Sequence, residues 1–404
     1  ISMMVQALYN IVDSIFVAMI SENAFTAVNY AFPAQNLLIG VAVGTGVGIN
    51  ALISRNLGLG NREKANKIAG QGAFLAIVSY IMFAVFGSLM ARPYFELMTA
   101  DITDAAARAT VINMGTSYLL VCFIASFGLF CQVVHEKYMQ ATGKTTLSMT
   151  TQLVGAIFNI IFDPILIYGL KMGILGAAVA TVSGQIVSAL VGIWLQKHKN
   201  TEITLKLENI KPDAKVIGEI FKIGLPSILM NSVGSFMTAA FNKIILPLSE
   251  YAVNVFGIYF KLQSFIFMPV FGFNNGMISI VSYNYGARKP DRLVGTMRLA
   301  TKYAMSMMGI GMIVFWAFTP QLLGIFNASE QMLSIGIPAL RLISLSFLLA
   351  GFNIIRISTM QALGHGVVSL TISIMRQLVV LLPSAFIFSR IWGLNATWIS
   401  FPLA

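Results

Sequence analysis

Long apolar stretches run through the whole chain, and they restrict it to a fold whose solvent is lipid. A helix needs roughly 20 apolar residues to cross a bilayer. Hydrophobic residues make up 57% of the 404 residues and charged residues only 10%, whereas soluble domains carry about 25% charged residues. A soluble chain of this length could not bury so much apolar surface. The composition therefore excludes a cytosolic enzyme, a nucleic-acid-binding protein and a disordered chain.

Twelve such stretches can be counted, of which the first and the last are incomplete. They are much longer than the strands of a membrane barrel, which cover about 10 residues and alternate in polarity. The sequence therefore predicts an all-α membrane protein with twelve transmembrane helices. Because it opens and closes inside apolar stretches, we expect the sequence to be truncated at both ends. The approximate limits of the predicted spans are 1–19, 27–55, 66–91, 108–134, 145–169, 173–196, 216–246, 252–283, 293–322, 332–360, 367–389 and 393–404.

Lysine and arginine residues are distributed unequally between the two sets of loops. If the first span starts in the cytoplasm, 17 of the 26 lie in loops on that side, four lie in the opposite loops and five lie within spans. Cytoplasmic loops of membrane proteins carry such an excess of positive charge. The bias places the longest loop, residues 197–215, in the cytoplasm. The net charge of +11 is then an orientation signal beside anionic lipid and does not indicate nucleic-acid binding.

The two halves of the chain are related in sequence. One constant shift aligns Met139-Gln-Ala-x-Gly143 with Met360-Gln-Ala-x-Gly364, and a second aligns Ser21 with Ser249, Gly48 with Gly276, Ser54 with Ser282 and Asn56 with Asn284. Each half holds six spans, an even number, so the halves are parallel repeats. The sequence predicts two six-helix lobes, 1–196 and 216–404, joined by a linker over 197–215. By analogy, this architecture suggests a secondary transporter.

Two carboxylates lie deep within predicted spans, although charge inside a membrane is costly and usually functional. Asp13 shares a helical face with Tyr9 and Gln6, which precede it by four and seven residues. Asp163 shares a face with Asn159, one turn earlier. The other acidic residues fall almost entirely in loops or at span ends. Deep acids are therefore confined to the first half of the chain.

Hydroxyl groups complete the predicted polar pocket inside the N-terminal lobe, because Thr181 lies in the sixth span and Tyr118 in the fourth. A carboxyl in a low-dielectric pocket can take up a proton near neutral pH. Its oxygens, with those of Asn159 and Thr181, also suit Na⁺. Both coupling ions fit this set of residues. A structural alternative is an Asp that is held by hydrogen bonds at a helix kink, since Pro164 lacks a backbone donor.

Five cations lie within spans of the second half. We interpret Lys243, Lys261 and Arg341 as candidates to face the cleft between the lobes, where they would attract anionic groups and disfavour organic cations. Arg356 and Arg376 are interpreted as snorkelling to the interface or bonding helix carbonyls. The charge of the substrate is left open by these residues.

Other motifs predict ordinary structural roles. Gly40, Gly44, Gly46 and Gly48 resemble a nucleotide-binding loop, but no strand precedes them, and close helix packing is the preferred interpretation. No disulfide is expected, because the two cysteines are nine residues apart on opposite faces of one helix. The three histidines lack metal-ligand spacing. Without a nucleophile–base pair, the sequence does not predict an enzyme or a bound cofactor.

Several motifs resemble those of the multidrug and toxic compound extrusion (MATE) transporters. They are Tyr9-Asn-Ile-Val-Asp13-Ser-Ile-Phe-Val, Ile223-Gly-Leu-Pro226, Tyr283-Asn-Tyr-Gly-Ala-Arg-Lys289 and the doubled Met-Gln-Ala-x-Gly. Their order and the twelve-span frame extend the resemblance over essentially the whole chain. The resemblance implies an antiporter that exports organic cations in exchange for H⁺ or Na⁺ by alternating access.

The resemblance is to the branch of the family whose cation site lies in the N-terminal lobe. There, an Asp of the first helix, an Asn and an Asp four residues apart in the fifth, and a Thr of the sixth line the site. The matching residues, in type and helix, are Asp13, Asn159, Asp163 and Thr181. Those that match polar positions lining the same cavity are Gln6, Tyr9 and Tyr118. Carboxylates in helices 7 and 10, which a second branch uses, are lacking here.

The resemblance also implies a setting for the protein. We expect a monomeric, multi-pass protein of a bacterial-type plasma membrane, with drugs or toxic organic compounds as substrates and no nucleic-acid partner. An alternative is a flippase for a lipid-linked saccharide precursor, which shares the two-lobe frame and has a cationic cleft. The cations of the second half motivate this alternative, and the two deep acids of the first half disfavour it.

Overall fold

A computed structural model describes residues 3, 5, 12–13, 15–17, 19–100, 102–326 and 328–404. Every regular element in this part of the chain is helical. Nine of the helices described are long and apolar enough to cross a membrane, and the bent pair Glu330–Ser344 and Ser346–Ala362 supplies a tenth span. These ten correspond to the second to eleventh predicted spans. The predicted all-α membrane fold is thereby confirmed.

The helices are labelled here in chain order. They are α1 Glu22–Gly58, α2 Arg62–Met98, α3 Ala105–Ile124, α4 Phe127–Ala141, α5 Thr145–Gly169, α6 Ile174–Lys199, α7 Ala214–Ile245, α8 Glu250–Gly286, α9 Pro290–Ala317, α10 Thr319–Gly324, α11 Glu330–Ser344, α12 Ser346–Ala362, α13 Gly366–Ile391, α14 Leu394–Thr397 and α15 Ser400–Leu403.

Three predicted spans differ from the rest. The twelfth, 393–404, was predicted as part of one spanning helix but holds only the two short helices α14 and α15. Most of the first lies outside the described residues, although residues 12–13 and 15–17 within it are helical. The fourth, predicted as one helix over 108–134, is divided into α3 and α4, and α4 continues to Ala141. The polar residues beyond position 134 are therefore helical and not part of a loop.

The contacts divide the chain into two units, Ile1–Gly224 and Leu225–Ala404. The division falls within α7, so residues 197–213 and the first part of α7 belong to the first unit. In that unit, α6 packs against both α4 and α5. Its apolar core includes Phe83, Phe95 and Phe123. The second unit has its own buried aromatic residues, which include Phe241, Phe256, Phe315, Phe347 and Trp398.

The internal repeat produces matching hydrogen bonds in the two units. In the first unit, the Ser54 hydroxyl donates to the carbonyl oxygen of Ala141 at 3.2 Å. In the second, the Ser282 hydroxyl donates to the carbonyl oxygen of Ala362 at 2.9 Å. The two serines are equivalent by one of the shifts that align the halves, and the two alanines are equivalent by the other. Each unit therefore joins the ends of equivalent helices in the same way.

The turns that follow α1 and α8 are also equivalent, but they differ at one residue. Gly60 has φ +76°, and Arg288, its equivalent by the shift that aligns Ser54 with Ser282, has φ +54°. In both turns, the next backbone N–H donates to a carbonyl five residues earlier, at 2.9 and 3.0 Å. This left-handed position after a helix favours glycine, because other residues are strained by their Cβ atom.

Replacing Arg288 by glycine is expected to stabilise the second unit. The strain of a left-handed residue is removed, and the larger unfolded-state entropy of glycine offsets part of the gain, which leaves about 0.5–1 kcal/mol. Thermal unfolding in detergent measures the change. The reciprocal variant, Gly60→Arg, should lower stability by a similar amount, since nothing lies within 4 Å of a Cβ atom at Gly60. Equal stabilities for all three proteins would contradict the argument.

The segment between α6 and α7, residues 200–213 and here called the strap, packs on α2 in the first unit. The buried Gln71 side chain donates to the carbonyl oxygens of Asn209 and Lys211 at 2.8 and 2.6 Å. Its own carbonyl oxygen accepts the Asp213 N–H at 3.0 Å. A Cβ atom at Gly70 would overlap the backbone of Asn209. One buried amide and one glycine thus hold the strap against the helix.

An ion pair closes the strap, because Lys67 Nζ lies 2.5 Å from Asp213 Oδ2. The hydrogen bond from Lys67 lowers the pKa of Asp213 below its ordinary value of 3.8. A lowered pKa means that the carboxylate stabilises the docked strap above pH 3.8, and that this contribution is lost as the pH falls through the folded-state pKa.

We therefore expect acid to release the strap in a way that depends on Asp213. Cleavage within residues 200–213 by pepsin, followed by mass spectrometry, should increase as the pH falls below about 4 in the wild type. In Asp213→Asn, the pair is absent at every pH, so cleavage should be faster than in the wild type at pH 5 and should change less with pH. Glu208→Gln in the same segment should behave like the wild type. Identical profiles for Asp213→Asn and the wild type would refute this role.

Candidate functional site

The candidate site lies in the first unit, where the helical residues around Asp13 meet α5 and α6. Near the end of α5, the Tyr168 hydroxyl donates to the carbonyl oxygen of Phe16 at 2.7 Å, and the two rings make an edge contact with 6.3 Å between centroids. Tyr168 lies in a π-helical turn, Ile165–Gly169, that follows Pro164. The wide turn after the proline therefore helps to fix the segment that carries Asp13.

Asn159 connects the two polar residues beside it. Its side-chain amide donates to Asp163 Oδ1 at 3.3 Å and to Thr181 Oγ1 at 3.4 Å. Asp163 and Asn159 are buried, with 0% and 3% of their surface exposed. The first contact follows from the four-residue spacing on α5, and the second requires α6 to pack against α5. The structure thus brings three of the predicted site residues together.

The carboxyl groups of Asp13 and Asp163 lie within hydrogen-bonding reach of each other. Three nearby side-chain oxygens are buried and have no hydrogen-bond partner in the described structure: Asp13 Oδ1, Asp163 Oδ2 and Asn159 Oδ1. Two adjacent carboxylates repel each other, and a buried acceptor without a donor costs about 1–3 kcal/mol. The arrangement is chemically incomplete without a proton or a cation.

Tyr118 is buried beside this pair and is held from α1. The Gln35 side-chain amide donates to the Tyr118 hydroxyl at 3.2 Å and to Cys122 Sγ at 3.3 Å. Both acidic residues lie close enough for their charge to act on Tyr118. Gln35 was not among the predicted site residues. The one feature of the sequence that sets it apart is that the shift aligning Ser54 with Ser282 also aligns it with another glutamine, Gln263. Cys122 and Cys131 are free thiols. They lie in α3 and α4, and not in one helix as the sequence predicts.

The remaining predicted residues are not gathered here. Gln6 and Tyr9 lie outside the described residues. Lys243 and Lys261 in the second unit are exposed, with Lys261 Nζ 5.8 Å from the centroid of the Phe326 ring. Arg341 is half-buried, and its Nε atom has no hydrogen-bond partner in the part of the chain described. No contact joins these three cations within the described structure.

The two arginines interpreted as structural have different surroundings. The Arg356 guanidinium lies over the Phe352 ring, with 4.8 Å to its centroid, and the residue is exposed. Arg376 is half-buried, and its buried Nε atom has no hydrogen-bond partner among the described residues. The Tyr259 side chain lies close enough to interact electrostatically with the guanidinium.

Among the described residues of the second unit, no acid takes the place of Asp13. Applied to Asp13, the shift that aligns Ser54 with Ser282 gives Phe241, which is fully buried. Its ring centroid lies 4.6 Å from that of Phe256, 5.0 Å from that of Phe401 and 5.7 Å from that of Trp398. An aromatic cluster thus fills the position that holds the acid in the first unit. The repeat supplies the frame twice and the carboxylate site once.

The donor set of the site consists of carboxylate, amide and hydroxyl oxygens. Within the residues described, no group of three or more His, Cys, Asp or Glu side chains has the geometry to hold a metal ion. Carboxylate, amide and hydroxyl oxygens are hard ligands, which suit a proton and hard cations. The chemistry of these oxygens is compatible with a bound proton or Na⁺.

A model of the MatE family matches the chain in two stretches, residues 1–165 and 226–387. The two stretches begin at equivalent points of the two halves, to within a few positions. Among curated proteins, the multidrug export protein MepA of Staphylococcus aureus (strain MRSA252) is 26% identical over 400 residues, which cover 98% of this chain and 86% of MepA. MepA of Staphylococcus saprophyticus is 25% identical over 401 residues, with the same coverage.

Solved structures resemble the chain over nearly its whole length. An outward-facing multidrug resistance MATE transporter of the MOP superfamily has a TM-score of 0.93 at 26% identity and covers 100% of this chain and 89% of its own. A MOP superfamily transporter from Pyrococcus furiosus has a TM-score of 0.88 at 26% identity, with 99% and 90% covered. The description of the latter states that the reverse polarity of its binding pocket suggests a different function.

Proposed function

The chain belongs to the MATE family of membrane transporters, and from this membership we propose that it exports drugs or toxic organic compounds across the plasma membrane in exchange for H⁺ or Na⁺. Export of several drugs is what the names of the staphylococcal relatives state. The exchange mode and the ion are inferred from the polar site of the first unit. Antiport uses the gradient of one solute to drive another, so it requires a residue set that binds the ion reversibly.

The observation that carries the proposal is the pair of adjacent carboxyls with buried oxygens that lack partners. Asp13 and Asp163 together can hold a proton between them or share a cation with Asn159. Binding removes the repulsion between the acids and satisfies the orphaned oxygens. Release restores both penalties, so occupancy changes the stability of the contact between the Asp13 segment and α5. Such an energy difference between two states is what an ion needs to shift a conformational equilibrium.

An ion gradient can supply energy for export, and the membrane potential adds to it only where the exchange moves net charge. Moving one net charge inward gains about 2.3 kcal/mol for each 100 mV of membrane potential. A tenfold concentration gradient of the ion adds about 1.4 kcal/mol. Alternating access then requires the loaded and empty forms of the site to favour different conformations of the protein.

Efflux from liposomes tests the proposal. Purified protein is reconstituted with a fluorescent organic cation inside, and a pH gradient or a Na⁺ gradient is imposed separately. Efflux driven by one gradient and absent with the other would support antiport and identify the ion. Efflux at the rate of protein-free liposomes under both gradients would refute the exchange of an organic cation for either ion.

A flippase for a lipid-linked saccharide precursor is the second candidate. It is favoured by Lys243 and Lys261, which are exposed cations in spans of the second unit, and it agrees with the reversed pocket polarity described for the Pyrococcus furiosus relative. Transfer of a fluorescent lipid diphosphate between leaflets, measured in the same liposomes, distinguishes it. If the protein transfers this lipid between leaflets, and Lys243→Ala and Lys261→Ala abolish the transfer, the flippase function would replace the first proposal.

A further inference from the structure

Glu136 is a buried acid of the first unit that the candidate site does not use. The sequence places it just beyond the end of the fourth predicted span, but the structure places it inside α4. Only 5% of its surface is exposed. A carboxylate withdrawn from water loses favourable hydration, so it needs charged partners, hydrogen bonds or a proton. The contacts around Glu136 decide among these.

Two glutamine amides hold the carboxylate. Gln132, one turn earlier on α4, donates to Glu136 Oε1 at 2.8 Å. Gln152 of α5 donates to Glu136 Oε2 at 2.6 Å. Both partners are neutral, so these hydrogen bonds solvate the negative charge but bring no positive charge into contact with it.

No cation forms an ion pair with Glu136 among the described residues, whose three ion pairs lie elsewhere. Four of the described helices, α1, α2, α5 and α6, pack closely against α4. From α5, Gln152 and Thr151 act on the carboxylate, and both are neutral; α1, α2 and α6 contribute no charged or titratable group that acts on it within the described chain. On α4 itself, Lys137 is the charged neighbour, and its Nζ donates to Gln140 Oε1 at 3.0 Å.

The second amide has the atoms needed to accept a hydrogen bond from protonated Glu136. Gln152 Oε1 is buried and has no hydrogen-bond partner in the described structure. A side-chain amide carries a donor group and an acceptor oxygen, and rotation about its last bond exchanges them. With Glu136 ionised, the Gln152 NH₂ group donates to it. With Glu136 protonated, the carboxylic O–H can donate to the rotated Gln152 oxygen, which then has its missing partner.

We propose that Glu136, with Gln132 and Gln152, forms a second proton-binding site in the first unit, separate from the Asp13–Asp163 pair. The reaction is the uptake of one proton from water by the carboxylate, which gives a neutral carboxylic acid that donates to the Gln152 amide. No other bond changes. The inference does not depend on the proposed function, because it concerns protonation and not transport.

The two sites share one helix, α5, which carries Gln152 of one site and Asp163 of the other. Gln152 and Asp163 are eleven residues apart on α5, or about 16 Å along its axis. Between them, a Cβ atom at Gly155 would overlap the Ser188 hydroxyl and lie 2.8 Å from the Gly184 carbonyl oxygen of α6. Helices α5 and α6 are therefore in direct contact between the two sites. The sites should therefore titrate independently.

Infrared difference spectroscopy of the full chain in liposomes tests the proposal. Spectra taken at a series of pH values resolve the C=O band of each protonated carboxyl group. We expect one band that is lost in Glu136→Gln and kept in Asp163→Asn, with one proton fewer taken up per chain in the first variant. Gln152→Leu should shift the frequency of this band, because the acceptor of the O–H is removed. Glu96→Gln, at an exposed residue, should leave it unchanged.

Two results would overturn the proposal. An unchanged set of bands in Glu136→Gln would mean that Glu136 does not take up a proton. A band that is lost in Glu136→Gln but insensitive to Gln152→Leu and Gln132→Leu would mean that the amides do not form the site. If Glu136→Gln does not fold, the two leucine variants decide the question by themselves. Failure of gradient-driven efflux would overturn the proposed function and leave these spectra unaffected.

Discussion

Replacing Asp163 by asparagine is expected to reduce gradient-driven efflux by about 10- to 100-fold. Asparagine has nearly the same shape, and its oxygen can still accept the Asn159 amide, so the bundle should remain folded. It cannot bind or release a proton, and it offers a cation no negative charge. A hydrogen bond to a charged group contributes about 1.5–3 kcal/mol, and each 1.4 kcal/mol is a factor of about ten. The initial rate of efflux from liposomes measures the loss.

Glu96→Gln is the matched control for this variant. Glu96 is an exposed acid of the first unit that forms an ion pair with Arg92, one turn away on α2. The substitution therefore removes one negative charge, as Asp163→Asn does, without changing the candidate site. We expect Glu96→Gln to show the wild-type rate of efflux. Both Glu96→Gln and Asp163→Asn should have thermal unfolding temperatures close to that of the wild type. Gradient-driven efflux at the wild-type rate in Asp163→Asn would assign coupling to another residue.

The variant Gly48→Ala is expected to destabilise the first unit by about 1–3 kcal/mol, the usual cost of overpacking. A Cβ atom at Gly48 of α1 would overlap the carbonyl oxygen of Ile220 and lie 3.2 Å from the Gly224 backbone nitrogen, both in α7. These are backbone atoms, so the helices must separate to admit the methyl group. A lower thermal unfolding temperature in detergent would report the loss.

Gly276→Ala provides the control at the equivalent position of the repeat. Gly276 lies in α8, where the shift that aligns Ser54 with Ser282 also aligns it with Gly48, and nothing lies within 4 Å of a Cβ atom there. Alanine favours a helix over glycine by about 0.5–1 kcal/mol, so this variant should be as stable as the wild type or more so. Equal destabilisation by the two variants would show that close approach of α1 and α7 is not the cause.

The glycines of α1 illustrate how far a local pattern reaches. Their spacing in an apolar helix predicts close packing, and the structure confirms a close approach at Gly48, while a Cβ atom at Gly46 would crowd the Lys137 side chain. The partner of Gly48 is α7, which follows five further helices and the strap along the chain. Periodicity identifies the face of a helix that must carry small residues, but it does not identify the helix that packs against that face.

Some residues of the candidate site could likewise be predicted from local sequence, and others could not. Asp163 and Asn159 could be predicted as neighbours, because a four-residue spacing on one helix places their side chains together. The cost of charge in lipid made both deep acids visible in the sequence. Gln35 could not be found so directly, because it reaches Tyr118 across 83 residues. Its role depends on α1 packing against α3, which no local pattern encodes.

The burial of Glu136 and the position of the strap could be seen only in the tertiary structure. Hydropathy ended the fourth span at residue 134, because the residues that follow are polar. Their burial became evident only when Gln152 of α5 was found to solvate the acid. Residues 197–215 were predicted as a linker from their polarity, and Gln71 of α2 fixes part of this segment through bonds to three residues.

The sequence by itself determined the membrane-spanning helices, the internal repeat and the two deep acids. Each of these depends on properties that act locally or that repeat along the chain: apolar length, identity at a fixed shift, and the free-energy cost of a charge in lipid. Only the tertiary structure decided which polar groups are paired and which are orphaned. Pairing of this kind requires atoms from distant segments to come within about 3 Å, and that distance is set by how the helices pack.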